Sequence, residues 1–228
     1  NGVKYLGPLR SLSNFEKREF NFSPQTPIGI SGELFFNYFE LNKNKLIEFY
    51  TPEGIPSVEP LKEAFSLWLS FFDIADSFDT NRDDKESTVS GRIRPKMLDE
   101  EVRMDSLGVG FSQLAPIILL CLTSKTGDTI LLEQPELHLH PSVQQKFGDF
   151  LLTMSKDKQI IVETHSDHLL NRVRRRVSES DTNIEESVGI YFAQREKGLT
   201  EFRLAELDNN GRYKLTDFPK GFFDQGAE

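Results

Sequence analysis

The chain has little cysteine, a deficit of positive charge and no long apolar run, and each shortage removes a class of protein. Cys121 is the only cysteine among 228 residues. No disulfide framework follows, and a reducing cytoplasm is the expected location. Cys121 sits inside the longest apolar stretch, 114–122, as a packed thiol. That stretch falls well short of the ~20 residues of a membrane span, and the start carries no secretory pattern. No membrane partner is expected. Lys and Arg number 27 against 36 Asp and Glu, for a net charge of −9. A domain built mainly to grip nucleic acid would be basic, so the charge does not support a nucleic-acid partner. One basic cluster, Arg172, Arg174, Arg175 and Arg176, reads as a solvated helix face, with a phosphate or partner contact as the alternative.

Histidine is scarce too, and its placement is informative. All four histidines lie in two stretches. The first is Thr129-Ile-Leu-Leu-Glu-Gln-Pro-Glu-Leu-His-Leu-His-Pro141, with His138 and His140. The second is Gln159-Ile-Ile-Val-Glu-Thr-His-Ser-Asp-His168, with His165 and His168. Each is a short buried-type strand that delivers acids and histidines at its C-terminal end. In an open α/β sheet that edge is where ligands bind.

The rest of the chain is organised around these stretches. Gly and Pro punctuate residues 1–58, where 32–41 is the best helix candidate. Residues 60–77 form an amphipathic helix, with Leu61, Phe65, Trp68, Leu69 and Phe72 at spacings of three and four. Residues 79–105 are charged and interrupted, as suits a hairpin or an exposed insertion. Gly108-Val-Gly-Phe-Ser-Gln113 reads as a glycine-bearing turn before an apolar helix at 114–123, where Pro116 is tolerable only in the first turn. Pro141 opens a helix, and Ser166 or Asp167 caps another that carries Leu169, Leu170, Val173 and Val177 inward. Strands at 188–193 and 200–206 flank a turn at Lys197-Gly198. Alternating strands and helices predict a parallel sheet with covering helices.

A carboxylate at the tip of a buried strand is costly unless a cation meets it. Hydrated Mg²⁺ beside a nucleotide phosphate is a common partner there, and Glu133 fits it. Gln134, next in line, can orient a water but cannot take its proton. His165 can hydrogen-bond a γ-phosphate.

Gly-x-Gly-x-Ser-Gln before an apolar helix, then Glu-Gln-Pro-Glu-x-His-x-His-Pro after a strand, then Ile-Val-Glu-Thr-His-Ser, resembles the C-terminal lobe of an ABC-type ATPase. The branch is that of the SMC, RecF and OLD-like proteins, with AAA-labelled bacterial ATPases of anti-phage defence. The resemblance implies an α/β fold: the C-terminal part of an ABC-type P-loop ATPase domain, parallel strands with covering helices plus a small β extension. It divides the chain into a mixed segment at 1–104, a core at 105–180 and an extension at 181–228. Gly108, Gly110, Ser112 and Gln113 stand at the signature motif, which faces the nucleotide of a partner subunit. Residues 129–133 match Walker B, with Glu133 at the metal-linked position. Gln134 stands where the catalytic glutamate does, His140 in the D-loop, and His165 at the switch histidine. ATP and Mg²⁺ are the implied cofactors. A second copy of the ATPase is the implied partner, with a nuclease or other effector beside it. The ending Asp217-Phe-Pro-Lys-Gly-Phe-Phe-Asp224 resembles the segment that closes many of these ATPases.

The chain departs from that pattern in places. No Gly-x-x-x-x-Gly-Lys-[Ser/Thr] occurs in it. Because the chain opens on a strand-like segment rather than Met, that loop is expected upstream of Asn1, and this piece alone is expected to be inactive. Loss of a positioned base costs about 10²–10⁴-fold. With Gln134 there, hydrolysis is slow, or Glu136 or Glu163 substitutes, or the branch uses Gln by design. Two rival functions exist. A zinc hydrolase would draw on His138, His140, His165 and His168 with Glu133, Glu136 or Glu163 as base, although Pro135 and Pro141 make a loop of the first pair. A non-catalytic assembly module would use the same residues as interface. After His168 no strand-end Asp-x-Asp of a nuclease follows.

Overall fold

A computed structural model describes residues 2–12, 26–83, 88–96, 100–103, 109–180 and 184–214. Gly108 of the expected signature turn and the closing segment 217–224 lie outside these residues. The chain divides into two compact units, Asn1–Ser166 and Asp167–Glu228.

The first unit holds the parallel strands. β1 (Val3–Leu6) begins it, followed by α1 (Phe35–Asn42), the antiparallel pair β2 (Leu46–Tyr50) and β3 (Pro56–Pro60), and α2 (Leu61–Phe71). Next comes an antiparallel sheet of β4 (Ala75–Asp83), β5 (Thr88–Pro95) and β6 (Val102–Arg103). It is the hairpin expected of the charged stretch. α3 (Val109–Thr123), β7 (Thr129–Glu133), α4 (Pro141–Met154) and β8 (Gln159–Glu163) follow. β1, β7 and β8 form one parallel sheet in the order β1-β7-β8. The α/β class with parallel strands and helices is therefore observed.

Register explains which side of this sheet is buried. Leu6, Leu132 and Val162 align across the strands, and their face is the covered one, with Leu6, Ile130 and Leu132 at 1% exposure or less. Tyr5, Leu131 and Ile161 align on the other face, where Val3 and Ile161 are 54% and 50% exposed. Parallel sheets are ordinarily covered on both faces; among the described residues this one is covered on one.

Aromatic side chains fill the core of the unit. Phe35, Phe39, Phe65 and Phe78 meet with ring centroids 4.9–6.0 Å apart. Trp68 of α2 stands edge-on to Phe150 of α4 at 4.8 Å, and its indole N–H donates to the Tyr50 carbonyl at 3.2 Å. α3 is buried almost throughout. Burial pushes the Cys121 thiol up to about 12, the packed, unreactive thiol that its apolar setting predicted.

Two helix boundaries differ from expectation. α2 stops at Phe71, not residue 77, because Asp73 adopts φ 58° and the chain turns into β4. The Asp73 carboxylate is anchored there by Lys96 at 2.7 Å and by Lys146. α3 starts at Val109, so the expected glycine turn is largely helical and Pro116 lies two turns inside. The physical reason is that Phe111 and Gln113 are buried like the residues after them and carry the inward face forward. Gly32 makes room for the proline: at φ +81° its added Cβ would stand 2.8 Å from Pro116 Cγ.

Asp128 fastens β1 to β7. Its carboxylate, 6% exposed, accepts from the Gly2 N–H at 2.7 Å and the Lys125 N–H at 2.9 Å, with Lys4 Nζ at 3.8 Å. Burial alone would raise its pKa, but these N–H donors and Lys4 outweigh it and hold the carboxyl below its ordinary 3.8. A depressed folded value means that the stabilisation is complete above 3.8 and drains away as pH falls through the folded value. Asp128→Asn is expected to cost about 1.5–3 kcal/mol at neutral pH. Urea unfolding followed down in pH checks this: the gap between wild type and variant should close in acid, and a gap independent of pH refutes it.

The second unit has its own small core. α5 (Asp167–Glu179) presents Leu169, Val173 and Val177, a short 3-10 turn covers Ile184–Ser187, and β9 (Ile190–Glu196) pairs with β10 (Leu199–Ala205). Val177, Ile190, Phe192, Ala205 and Leu207 form the cluster. The basic cluster is largely engaged within the unit. Arg174 Nε donates to the Gly211 carbonyl at 2.9 Å and its guanidinium covers the Tyr213 ring, while Arg175 and Arg176 pair with Glu179. Among the described residues, no helix is long and apolar enough to cross a membrane.

Candidate functional site

The C-terminal ends of β7 and β8 put Glu133 and Glu163 side by side, as register partners. Adjacent like charges repel across a ladder, so this pair favours a cation. Glu133 also receives a hydrogen bond from Tyr5 of β1. Burial first, then this bond and the Glu133 charge, raise the tyrosine's pKa. One or two carboxylates that leave room for phosphates and water are what Mg²⁺ takes in nucleotide sites, and this donor set fits that ion. It does not fit a closed zinc site. Among the described residues no group of three or more His, Cys, Asp and Glu is placed to hold a metal.

After Glu133 the chain turns sharply. Gln134 has φ 41° and His138 φ 60°, left-handed conformations that cost a non-glycine residue roughly 1–2 kcal/mol. The Gln134 peptides are clamped from both sides. Its N–H donates to the Glu163 carbonyl at 2.9 Å, and its carbonyl accepts from Arg10 Nη2 at 2.9 Å. Arg10 Nη1 also donates to the carbonyls of Gly7 at 2.8 Å and Glu133 at 3.1 Å. Burial lowers the Arg10 pKa to about 10, with the Glu136 charge opposing, so it remains cationic at neutral pH.

Glu136 joins the two strand-end loops, accepting from the His165 N–H at 2.7 Å. His165 Nε2 stands 3.2 Å from Glu163 Oε1, and its side chain is 71% exposed. The imidazole of His165 thus stands beside Glu163, the last residue of its own strand. His140 is exposed and caps α4: its Nδ1 accepts from the Ser142 N–H at 3.3 Å, with Pro141 as the first helical residue. Ser166 Oγ donates to Gln144 Oε1 at 2.6 Å, and Gln144 Nε2 donates to the Leu139 carbonyl at 2.8 Å.

The first turns of α3 lie against this loop. A Cβ on Gly110 would stand 3.6 Å from the His138 carbonyl. The Ser112 hydroxyl donates to the Val109 carbonyl at 2.7 Å. Gln113 is 4% exposed and turned inward, its Nε2 donating to the Arg10 carbonyl at 2.7 Å. Glu133, Gln134, His165 and Gly110 are thus linked to one edge of one sheet through these loops. A groove of about 360 Å³ lined by Lys45, Glu48, Lys125 and Asp157 sits at the other edge, where β7 and β8 begin, and takes no part in this arrangement.

Residues 37–170, more than half of the chain, match the family described as AAA ATPase domain. The chain belongs to the AAA ATPase domain family. Membership makes it an ATPase-type, nucleotide-binding domain, and the matched span contains Gly110, Glu133, Gln134, His140 and His165. Residues 185–227 match a second family, described as a protein of unknown function (DUF3696). No curated protein matches by sequence. Solved SMC heads are partial likenesses of this AAA ATPase domain. A chain from a study of ATP-driven dimerization and DNA-stimulated activation of SMC ATPases aligns at TM-score 0.48 and 15% identity, over 63% of this chain and 81% of that one. The Smc head with an extended coiled coil bound to the C-terminal domain of ScpA, from Pyrococcus furiosus, aligns at 0.47 and 14%, over 64% and 34%. The SMC head domain from Thermotoga maritima aligns at 0.42 and 17%, over 64% and 47%. The family assignment rests on the sequence match.

Arg10 and Tyr5 precede the matched span of the AAA ATPase domain, in a stretch that supports the ABC-type resemblance only weakly, and the motifs gave neither residue a role. Their signal is faint: a Tyr whose hydroxyl reaches one strand over, and an Arg just past a strand end.

Proposed function

We propose that this edge faces nucleotide in an ATPase that works by closing two copies of the domain around ATP. The observation that supports it is the convergence of Glu133, Gln134, the His165 loop and the α3 turn on one sheet edge. Bound Mg²⁺ and ATP supply the phosphoryl group and the charge that shields it. Glu133 holds the metal, as the half-buried carboxylate at the end of β7. Gln134 orients the attacking water without taking its proton, which makes hydrolysis slow. His165 hydrogen-bonds the γ-phosphate and keeps Glu163 as its partner otherwise. Gly110 and Ser112, at the start of α3, cap the nucleotide held by the other copy, and His140 lies in the loop beside them; Gln113, buried and bonded to the Arg10 carbonyl, supports that turn from inside and does not reach the nucleotide. In this reading 1–104 and 105–180 form one lobe and 181–228 its extension, in a cytoplasmic protein. A nuclease or other effector acts on nucleic acid in its company. A role in anti-phage defence or DNA maintenance follows from family resemblance alone.

The test uses the full-length protein and sedimentation with and without ATP, alongside phosphate release. ATP is expected to shift the protein to a dimer that hydrolyses slowly. Absence of both the dimer and the turnover sinks the proposal; a dimer with no turnover at all leaves the assembly module in its place.

A further inference from the structure

We propose that Arg10 is a positioning residue that couples the start of α3 to Gln134, so that engagement of α3 by the second copy sets the direction of the water-orienting side chain. The inference rests on the nucleotide-facing role proposed above for this edge. Arg10 is 3% exposed, and a buried guanidinium is a costly way to fill space. Its bonds explain its presence. The head group grips the carbonyl of Gly7, just past β1, that of Glu133, which ends β7, and that of Gln134 itself, at 2.8, 3.1 and 2.9 Å. Its own carbonyl is held by Gln113, the one strongly buried polar side chain at the start of α3. A displacement of α3 at Gln113 therefore pulls the Arg10 backbone and, through the fork of the guanidinium, the Gln134 peptide.

That peptide is the sensitive one. Gln134 is left-handed at φ 41°, with the Glu163 carbonyl holding its N–H and Arg10 holding its carbonyl. Release of one side lets the backbone relax and swings the side chain away from its aim. The network also has bonding capacity left over. Arg10 Nε, Gln113 Oε1 and Glu136 Oε2 are buried and unpartnered, one donor and two acceptors on the residues that link α3, β1 and the loop after β7. Buried polar groups are ordinarily satisfied, so these three atoms are free to take up partners when α3 and the loop after β7 shift against each other.

Arg10→Lys keeps the charge but loses the planar fork that reaches several carbonyls. In the full-length protein it is expected to lower kcat by up to ~10²-fold, the scale of a small misplacement of a reacting group, with the KM for ATP unchanged. Gln113→Met, which keeps the buried volume and cuts only the link to α3, should give the same kcat-only pattern at about tenfold and is the variant to read if Arg10→Lys does not fold. Wild-type kcat in the folded variants overturns the inference, as does a loss confined to KM or to melting temperature. Glu133→Gln separates the two levels. If it abolishes turnover while Arg10→Lys and Gln113→Met keep theirs, the coupling fails and the site assignment stands. If Glu133→Gln turns over normally, the site assignment itself fails.

Discussion

Glu133→Gln in the full-length protein is expected to reduce ATP turnover by at least about 10²-fold, the scale for removing one electrostatic stabiliser of a transferring group. The substitution is nearly isosteric. The amide oxygen still accepts the Tyr5 hydroxyl that the carboxylate accepts now, and the neighbouring pairs on β1 and β8 remain. What changes is the charge. With Glu163 beside it, Glu133 forms a two-carboxylate edge that repels itself until a cation arrives; with Gln, the edge carries one negative charge and a weaker claim on that cation. ATP-dependent association should therefore survive better than turnover, because it draws on the whole edge. Phosphate release measured beside sedimentation separates the two, and unchanged turnover in the variant refutes the role given to Glu133.

Trp68→Ala is expected to be the most damaging substitution for the fold, at about 3–5 kcal/mol. Trp68 is fully buried, and its neighbours Phe71, Phe72 and Phe150 stand 4.8–6.5 Å away, ring to ring. Truncation opens a cavity between α2 and α4 and leaves the Tyr50 carbonyl without its indole donor. The consequence reaches the candidate site because α4 begins at the loop that carries Gln134, Glu136 and His140. Trp68→Phe should cost much less, since it keeps most of the ring contact and loses the hydrogen bond. Urea unfolding of the pair checks this, and equal costs for Phe and Ala would show that the hydrogen bond, not the packing, is what the residue supplies.

The strands at the site were legible because their signals are local. The run 129–132 ends in Glu133, 159–162 ends in Glu163, and a chain that alternates such runs with amphipathic helices has few ways to bury them. The hairpin after α2 and the strands around Lys197-Gly198 were readable for similar reasons. Helix ends were less so. Nothing in the composition of 72–77 says that Asp73 goes left-handed, and two glycines disguised a first turn of α3 that Phe111 and Gln113 make inward-facing. The clamp was least legible. Arg10 binds backbone carbonyls 123 and 124 residues away, and a backbone carbonyl has no side-chain identity for a motif to record. Glu136 holds the His165 loop by a main-chain N–H, a contact that the residue types alone do not announce.

The one-sided parallel sheet has a thermodynamic consequence. Tyr5, Leu131 and Ile161 form an aligned row across three strands on the open face, with Val3 at its border. Each Å² of that row removed from water is worth roughly 25 cal/mol, and its removal lowers the heat capacity of the system. Whatever element covers it gains affinity from apolar area, which salt hardly screens. The edge bearing Glu133 and Glu163 behaves in the opposite way, since its charge makes it sensitive to cations and to ionic strength. The same three strands thus differ in chemistry along their length, apolar across the middle of one face and charged at their tips.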